Sequence, residues 1–299
     1  MLRRQLPAGA VDHLVEAGLV VLHGACLELT VLIVEAGGVL AVVPKEAWGP
    51  EVVYLGRDSA HLAEAALRLT PSGHRAAELG TGTGLLAAIL ASRYRQVVAT
   101  DLPHSVTSTA QLTLVLNRYP AGHTQVVCRS DAAGGLRPGC FDLVASNPPW
   151  VPVAASGDQG DERAELFRHG GDTVEVPARF VRESASLLRP GGVAITLALD
   201  VALEPIGTGT GTEGRPLRDL ALSLESDGYV VRLLPTPFNR EQPDLLARVR
   251  ERQPRVLDAT QVAVVVARPR RPGDRRGSLL VAADALSRRW ATRPVPTPR

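Results

Sequence analysis

The stretch Glu78-Leu79-Gly80-Thr81-Gly82-Thr83-Gly84 decides how this chain folds. It continues a short apolar run, predicted as a strand over 76–80, and opens another, predicted as a helix over 84–93. Glycines at alternate positions let the chain turn sharply and let a ligand approach the backbone, while the N–H groups of the helix start point outward. The same alternation repeats downstream. Strands are predicted over 96–101, 124–130, 141–147 and 192–199, with helices over 105–118 and 174–188. Upstream, Asp58-Ser59 caps a predicted helix that reaches Leu69 and carries Leu62, Ala65, Ala66 and Leu69 on one face. Strand and helix in turn mean a parallel sheet covered on both faces. Two late strands, 229–235 and 261–268, flank a helical insertion around 241–252 and are predicted to pair as an antiparallel hairpin. The fold class is α/β, a Rossmann-like, seven-stranded, mostly parallel sheet.

Composition bounds the rest. The chain has 299 residues, 45% hydrophobic and 21% charged, which excludes a fibre, a coiled coil and a disulfide-stapled miniature. Lys+Arg 33 against Asp+Glu 31 is too balanced for a surface that grips nucleic acid throughout. Lys45 is the sole lysine, and Arg spread through every segment reflects a GC-rich genome rather than phosphate recognition. Cys26, Cys128 and Cys140 form no CxxC pair, so neither a disulfide nor a metal site is expected. No apolar run reaches the ~18 residues of a membrane span, and a cytoplasmic protein is expected.

Residues 1–52 read as a small unit of their own. A short helix from Val11 to Gly18 precedes β-rich runs at 27–34 and 39–43, joined by the hairpin turn Glu35-Ala36-Gly37-Gly38. The pattern is winged-helix-like, yet without a basic recognition helix it reads as a packing or substrate-covering appendage. Residues 53–269 form the main domain. Residues 270–299 are an Arg- and Pro-rich tail with a short helix near 279–290.

Two further features carry chemistry. Asp101 ends the strand after the glycine turn, where a carboxylate accepts hydrogen bonds from a ribose diol. Dehydrogenases and methyltransferases share that arrangement, so Asp101 points to a nucleoside without saying which. The segment Asn147-Pro148-Pro149-Trp150 separates the two. Its prolines fix φ and remove two N–H donors, so the corner presents carbonyls. The Asn147 side-chain carbonyl and the Pro148 carbonyl together can accept both hydrogens of an NH2 group, orienting its lone pair for attack. Trp150 can stack on a planar substrate or lie against a positive charge.

With these motifs in this order, the chain resembles class I S-adenosyl-L-methionine (SAM)-dependent methyltransferases with an NPP-aromatic motif, and among them the HemK family of release-factor glutamine N5-methyltransferases and their relatives. The resemblance covers about residues 53–268. It implies a seven-stranded sheet with an antiparallel end and SAM as cofactor. It matches residues 78–84 to the SAM-binding loop, with Glu78, Gly80, Thr81, Gly82 and Gly84 as contacts, and Asp101 to the ribose carboxylate. It likens Ser130-Asp131 to a pair that contacts the adenine amino group, so Asp131 joins the cofactor residues along with Asn147. Residues 53–59 are similar to the family's segment beside the cofactor. Tyr54 and Asp58 in it join Asn147, Pro148, Pro149 and Trp150 as candidate substrate-binding residues, with Asn147, Pro148 and Trp150 also catalytic.

The chain departs from that family in having Trp150 where its glutamine methyltransferases have Tyr, and in showing a short helix plus wing where they have a helical N-terminal domain. With the near-neutral charge, these departures favour N-methylation of a small molecule or short peptide, in specialised metabolism. The alternative is a protein glutamine or an exocyclic amine of RNA; a second alternative is a SAM-sensing DNA-binding module. His169, the Gly-Thr repeat at 208–212 and the acidic stretch 158–165 are read as a side chain the reaction does not need, a flexible connection and a solvated loop.

Overall fold

The computed structural model describes residues 10–16, 19–24, 26–45, 55, 57–149, 175–204, 214–241, 247, 249–250, 256–269, 285 and 288. Seven strands form one sheet: β5 (Gly73–Leu79), β6 (Tyr94–Asp101), β7 (Thr124–Arg129), β8 (Phe141–Ser146), β9 (Leu188–Leu203), β10 (Val230–Pro235) and β11 (Val256–Ala267). Their order across the sheet is β10-β11-β9-β8-β5-β6-β7. β5 pairs in parallel with β6 and β8, β6 with β7 and β8 with β9, whereas β11 runs antiparallel to both β9 and β10. The late hairpin is thus present, although its central strand starts five residues earlier than its apolar run suggests.

Strand order reverses between β5 and β8. In an open parallel sheet the loops leaving such a pair diverge to opposite faces and open a crevice at the carboxyl ends. Every residue of β8 is buried, Asp142 and Ser146 included. One core packs α2 (Arg57–Leu69) and α3 (Leu85–Ala91) against the sheet; a second packs α5 (Glu175–Leu187) and α6 (Pro216–Ser226) on the other face.

The N-terminal region departs from the single wing. After α1 (Ala10–Glu16) come two hairpins, β1 (Val20–His23) with β2 (Cys26–Leu29) and β3 (Val31–Ala36) with β4 (Val39–Pro44). The apolar run 27–34 reads as one strand but is divided at Thr30, where the chain changes partner. The Thr30 N–H donates to the Leu19 carbonyl, and the Thr30 carbonyl accepts from Lys45 N–H. The second hairpin is docked on α4 (His104–Leu116). The Asn117 amide exchanges hydrogen bonds with the Leu40 N–H (2.9 Å) and carbonyl (2.7 Å), standing in for a neighbouring strand, and Thr113 Oγ1 accepts from Val42 N–H at 2.9 Å. Most of the insertion predicted at 241–252, the repeat at 208–212 and the C-terminal tail lie outside the described residues; α7 (Phe238–Glu241) covers the start of the first.

Candidate active site

Register places the motifs on one rim. Leu79 is level with Thr100 on one side and Ser146 on the other, and Asp101 is level with Arg129. Gly80, Asp101, Ser130 and Asn147 therefore leave four adjacent strands side by side, around the crevice. The Ser130 N–H also donates to the Asp101 carbonyl at 2.9 Å, holding Asp131 beside Asp101.

The glycine turn is stereochemically specific. Gly80, Gly82 and Gly84 have φ of 70°, 52° and 78°, left-handed conformations that other residues adopt only at a cost. Gly84 also abuts α4: a Cβ there would stand 2.9 Å from Ala110 Cα. Two carboxylates pin the turn from beneath. Glu78 Oε2 accepts from Thr81 Oγ1 at 2.6 Å and from Ala87 N–H at 2.8 Å. The second bond satisfies a donor at the start of α3, whose own cap, Gly84, has no side chain. Burial pushes the Glu78 carboxyl up to about 8; its two hydrogen bonds oppose this only in part, and nearby Asp101 adds to it. Asp101 Oδ2 accepts from Gly82 N–H at 2.9 Å and Oδ1 from Leu102 N–H at 2.8 Å. Burial raises its pKa too, against those same two bonds. Each Asp101 oxygen keeps acceptor capacity for a ligand hydroxyl.

Asp131 makes a bidentate pair with Arg179 of α5, both contacts at 2.8 Å, and the guanidinium lies 5.5 Å from the Phe180 ring centroid. Both side chains of the pair are about half exposed, so the bond is weak enough for a ligand to compete with it. Phe180 itself lies beneath the turn, 3.4 Å from where a Gly80 Cβ would be. Arg179 and Phe180 went unread in the sequence, where they look like ordinary positions of an amphipathic helix.

At the other end of the crevice, Asn147 Nδ2 donates to Asp58 Oδ2 (3.2 Å) and to Ser59 Oγ (3.0 Å) at the start of α2. Its Oδ1 is buried, with no hydrogen-bond partner among the described residues. Pro148 is buried and Pro149 half-buried beside it. Trp150 and Tyr54 lie outside the described residues, as do His169 and the acidic stretch. Asp58, read as a substrate contact, also meets Asn147. The structure thus brings Glu78, the glycines, Thr81, Asp101, Asp131, Asp58, Asn147, Pro148 and Pro149 to one rim.

Residues 59–162 match the family model described as the methyltransferase small domain. The release factor glutamine methyltransferase of Deinococcus radiodurans is 32% identical over 222 residues, covering 70% of this chain and 69% of that protein. The chain belongs to the release factor glutamine methyltransferase family. It is also similar to the tRNA1(Val) (adenine(37)-N6)-methyltransferase of Bacteroides thetaiotaomicron, 30% identical over 134 residues, 43% of this chain and 54% of that protein. Among solved structures it is similar to P. horikoshii TYW2 in complex with MeSAdo, with 11% identity and a TM-score of 0.47, covering 86% of this chain and 81% of that one. This member of the family is a SAM-dependent methyltransferase enzyme. Among the described residues no helix is long and apolar enough to cross a membrane.

Proposed function

We propose that this chain transfers a methyl group from SAM to the nitrogen of a carboxamide or amino NH2 on a macromolecule, with a protein glutamine as the first acceptor. One observation carries the reading. Both donor contacts of the Asn147 amide run to α2, so its buried carbonyl, without a partner among the described residues, is an acceptor in want of an N–H. An NH2 group bound there meets that oxygen and the Pro148 carbonyl.

The residues present suit the cofactor. Three left-handed glycines leave the turn open to a ligand, and Asp101 retains acceptor capacity for a ribose diol. Asp131 is the candidate for the adenine amino group, in exchange for part of its contact with Arg179. SAM supplies an electrophilic methyl on a positively charged sulfur. Asn147 and Pro148 hold both hydrogens of the acceptor, which orients its nitrogen and favours the pyramidal form with a directed lone pair. Once methylated, that nitrogen sheds a proton to water, so no dedicated base is required. Trp150, Pro149 and Tyr54 are further candidate acceptor contacts on the family resemblance of their segments alone.

The expectation of a small-molecule acceptor finds no support among the relatives, whose names specify a release factor and a tRNA. Protein glutamine is favoured because the longer match is to the first. An adenine amino group is the second reading, since it too presents a planar conjugated NH2. The test incubates the protein and isotopically labelled SAM with a purified bacterial release factor and, separately, with bulk tRNA. Label on a glutamine side chain, lost in Asn147→Ala while SAM binding persists, is the expected result. Label in tRNA alone favours the second reading, and label in neither overturns both.

A further inference from the structure

The start of α2 does more than begin a helix. Asp58 is 2% exposed; its Oδ1 accepts the N–H of Ser59 at 2.8 Å, and its Oδ2 faces Asn147. Ser59 directs its hydroxyl to the same amide, 88 residues away in sequence. An ionised carboxylate only accepts hydrogen bonds, so it can face only the NH2 end of a carboxamide. Reversing the Asn147 amide would break the contact with Asp58 and set two acceptor oxygens against each other, whereas the Ser59 hydroxyl, which donates as well as accepts, would keep a partner in either orientation. Donation from the amide NH2 to the Asp58 carboxylate draws electron density toward the far oxygen, making Oδ1 a stronger acceptor.

We propose that Asp58 and Ser59 are positioning residues for methyl transfer, a lock in which Asp58 turns the Asn147 carbonyl toward the acceptor nitrogen and Ser59 holds the amide in place. The lock rests on the reading of Asn147 given above. Neither residue touches substrate; both act through the amide. A helix start alone needs neither a buried carboxylate directed at another strand nor a hydroxyl used at that distance, since an exposed cap satisfies the first turn equally well.

Two measurements test it. In 15N-labelled protein the Asn147 side-chain NH2 signals, identified by their loss in Asn147→Asp, are expected to be resolved and slow to exchange with solvent, and to exchange faster in Asp58→Asn and Ser59→Ala. This readout needs no acceptor. With labelled SAM and the release factor, both variants are expected to lower kcat by roughly tenfold or more, with SAM affinity within about twofold of wild type, and Ser59→Thr is expected to restore turnover. Rapid exchange of the wild-type NH2 protons overturns the lock. So does unchanged kcat in both variants, or a fall in kcat matched by lost thermal stability that Ser59→Thr fails to rescue. Protected NH2 protons together with wild-type turnover in Asn147→Ala would instead overturn the catalytic reading of Asn147 and leave the contact standing.

Discussion

Glu78→Gln isolates the electrostatic cost of the loop's foundation. The wild-type carboxyl moves from 4.5 to about 8 on folding because burial disfavours its charge. Between those values the folded protein holds a proton that the unfolded chain has released, so stability falls as pH rises from 4.5 to 8. At about 1.4 kcal/mol per pH unit the ceiling is roughly 5 kcal/mol, and relaxation of the surroundings around a new charge cuts the expected loss to about 2 kcal/mol. The amide keeps an oxygen for Thr81 and Ala87 but cannot ionise. Wild type is therefore expected to lose about 5 °C in Tm relative to Glu78→Gln between pH 5 and pH 8.5, read by circular dichroism melts of both proteins. A cationic ligand beside Glu78 pulls its pKa down. Wild type is thus expected to release a proton on binding SAM near pH 7.5, seen by calorimetry in buffers of different ionisation enthalpy, and Glu78→Gln to release none. Parallel Tm profiles for the two proteins would refute the argument.

Three more perturbations probe the rim and its supports. Asp101→Asn turns an amide NH2 toward the Gly82 or Leu102 N–H and removes the charge facing the ribose; SAM affinity by calorimetry is expected to drop about 10- to 100-fold. Gly84→Ala forces a side chain into φ of 78° and against the Ala110 backbone. A loss of about 2–4 kcal/mol follows, lowering Tm by roughly 5–10 °C; a melt within 1–2 °C of wild type would contradict it. Thr113→Val removes the acceptor for the buried Val42 N–H, so the protein is expected to melt a few degrees lower, about 1–2 kcal/mol, with SAM binding unchanged.

Chemistry that is local in sequence was legible, and chemistry shared between distant segments was not. Gly80, Gly82 and Gly84 announce a left-handed turn because few other residues suit one, and Asp101 announces itself by standing at a strand end. Alternation of apolar runs gave the sheet's class, since a parallel sheet needs crossover helices. Partnership is a different kind of fact. Residues 27–34 have uniform strand propensity, and nothing in them says that β2 pairs with β1 while β3 pairs with β4; only the changed hydrogen bonding at Thr30 does. Glu78 begins the motif, where a ligand contact is expected, and its Oε2 also serves Thr81 and the start of α3, a task visible only once helix and strand are packed. Asp58 is the sharper case. As a residue it is a plausible helix cap or a plausible substrate contact, and both readings use the right chemistry. What neither reading could supply is that the β8 end and the α2 start meet across the crevice, where the Asn147 amide donates to a carboxylate 89 residues away. A tetrapeptide can supply the acceptor oxygen, but the direction in which that oxygen points is a property of the tertiary structure.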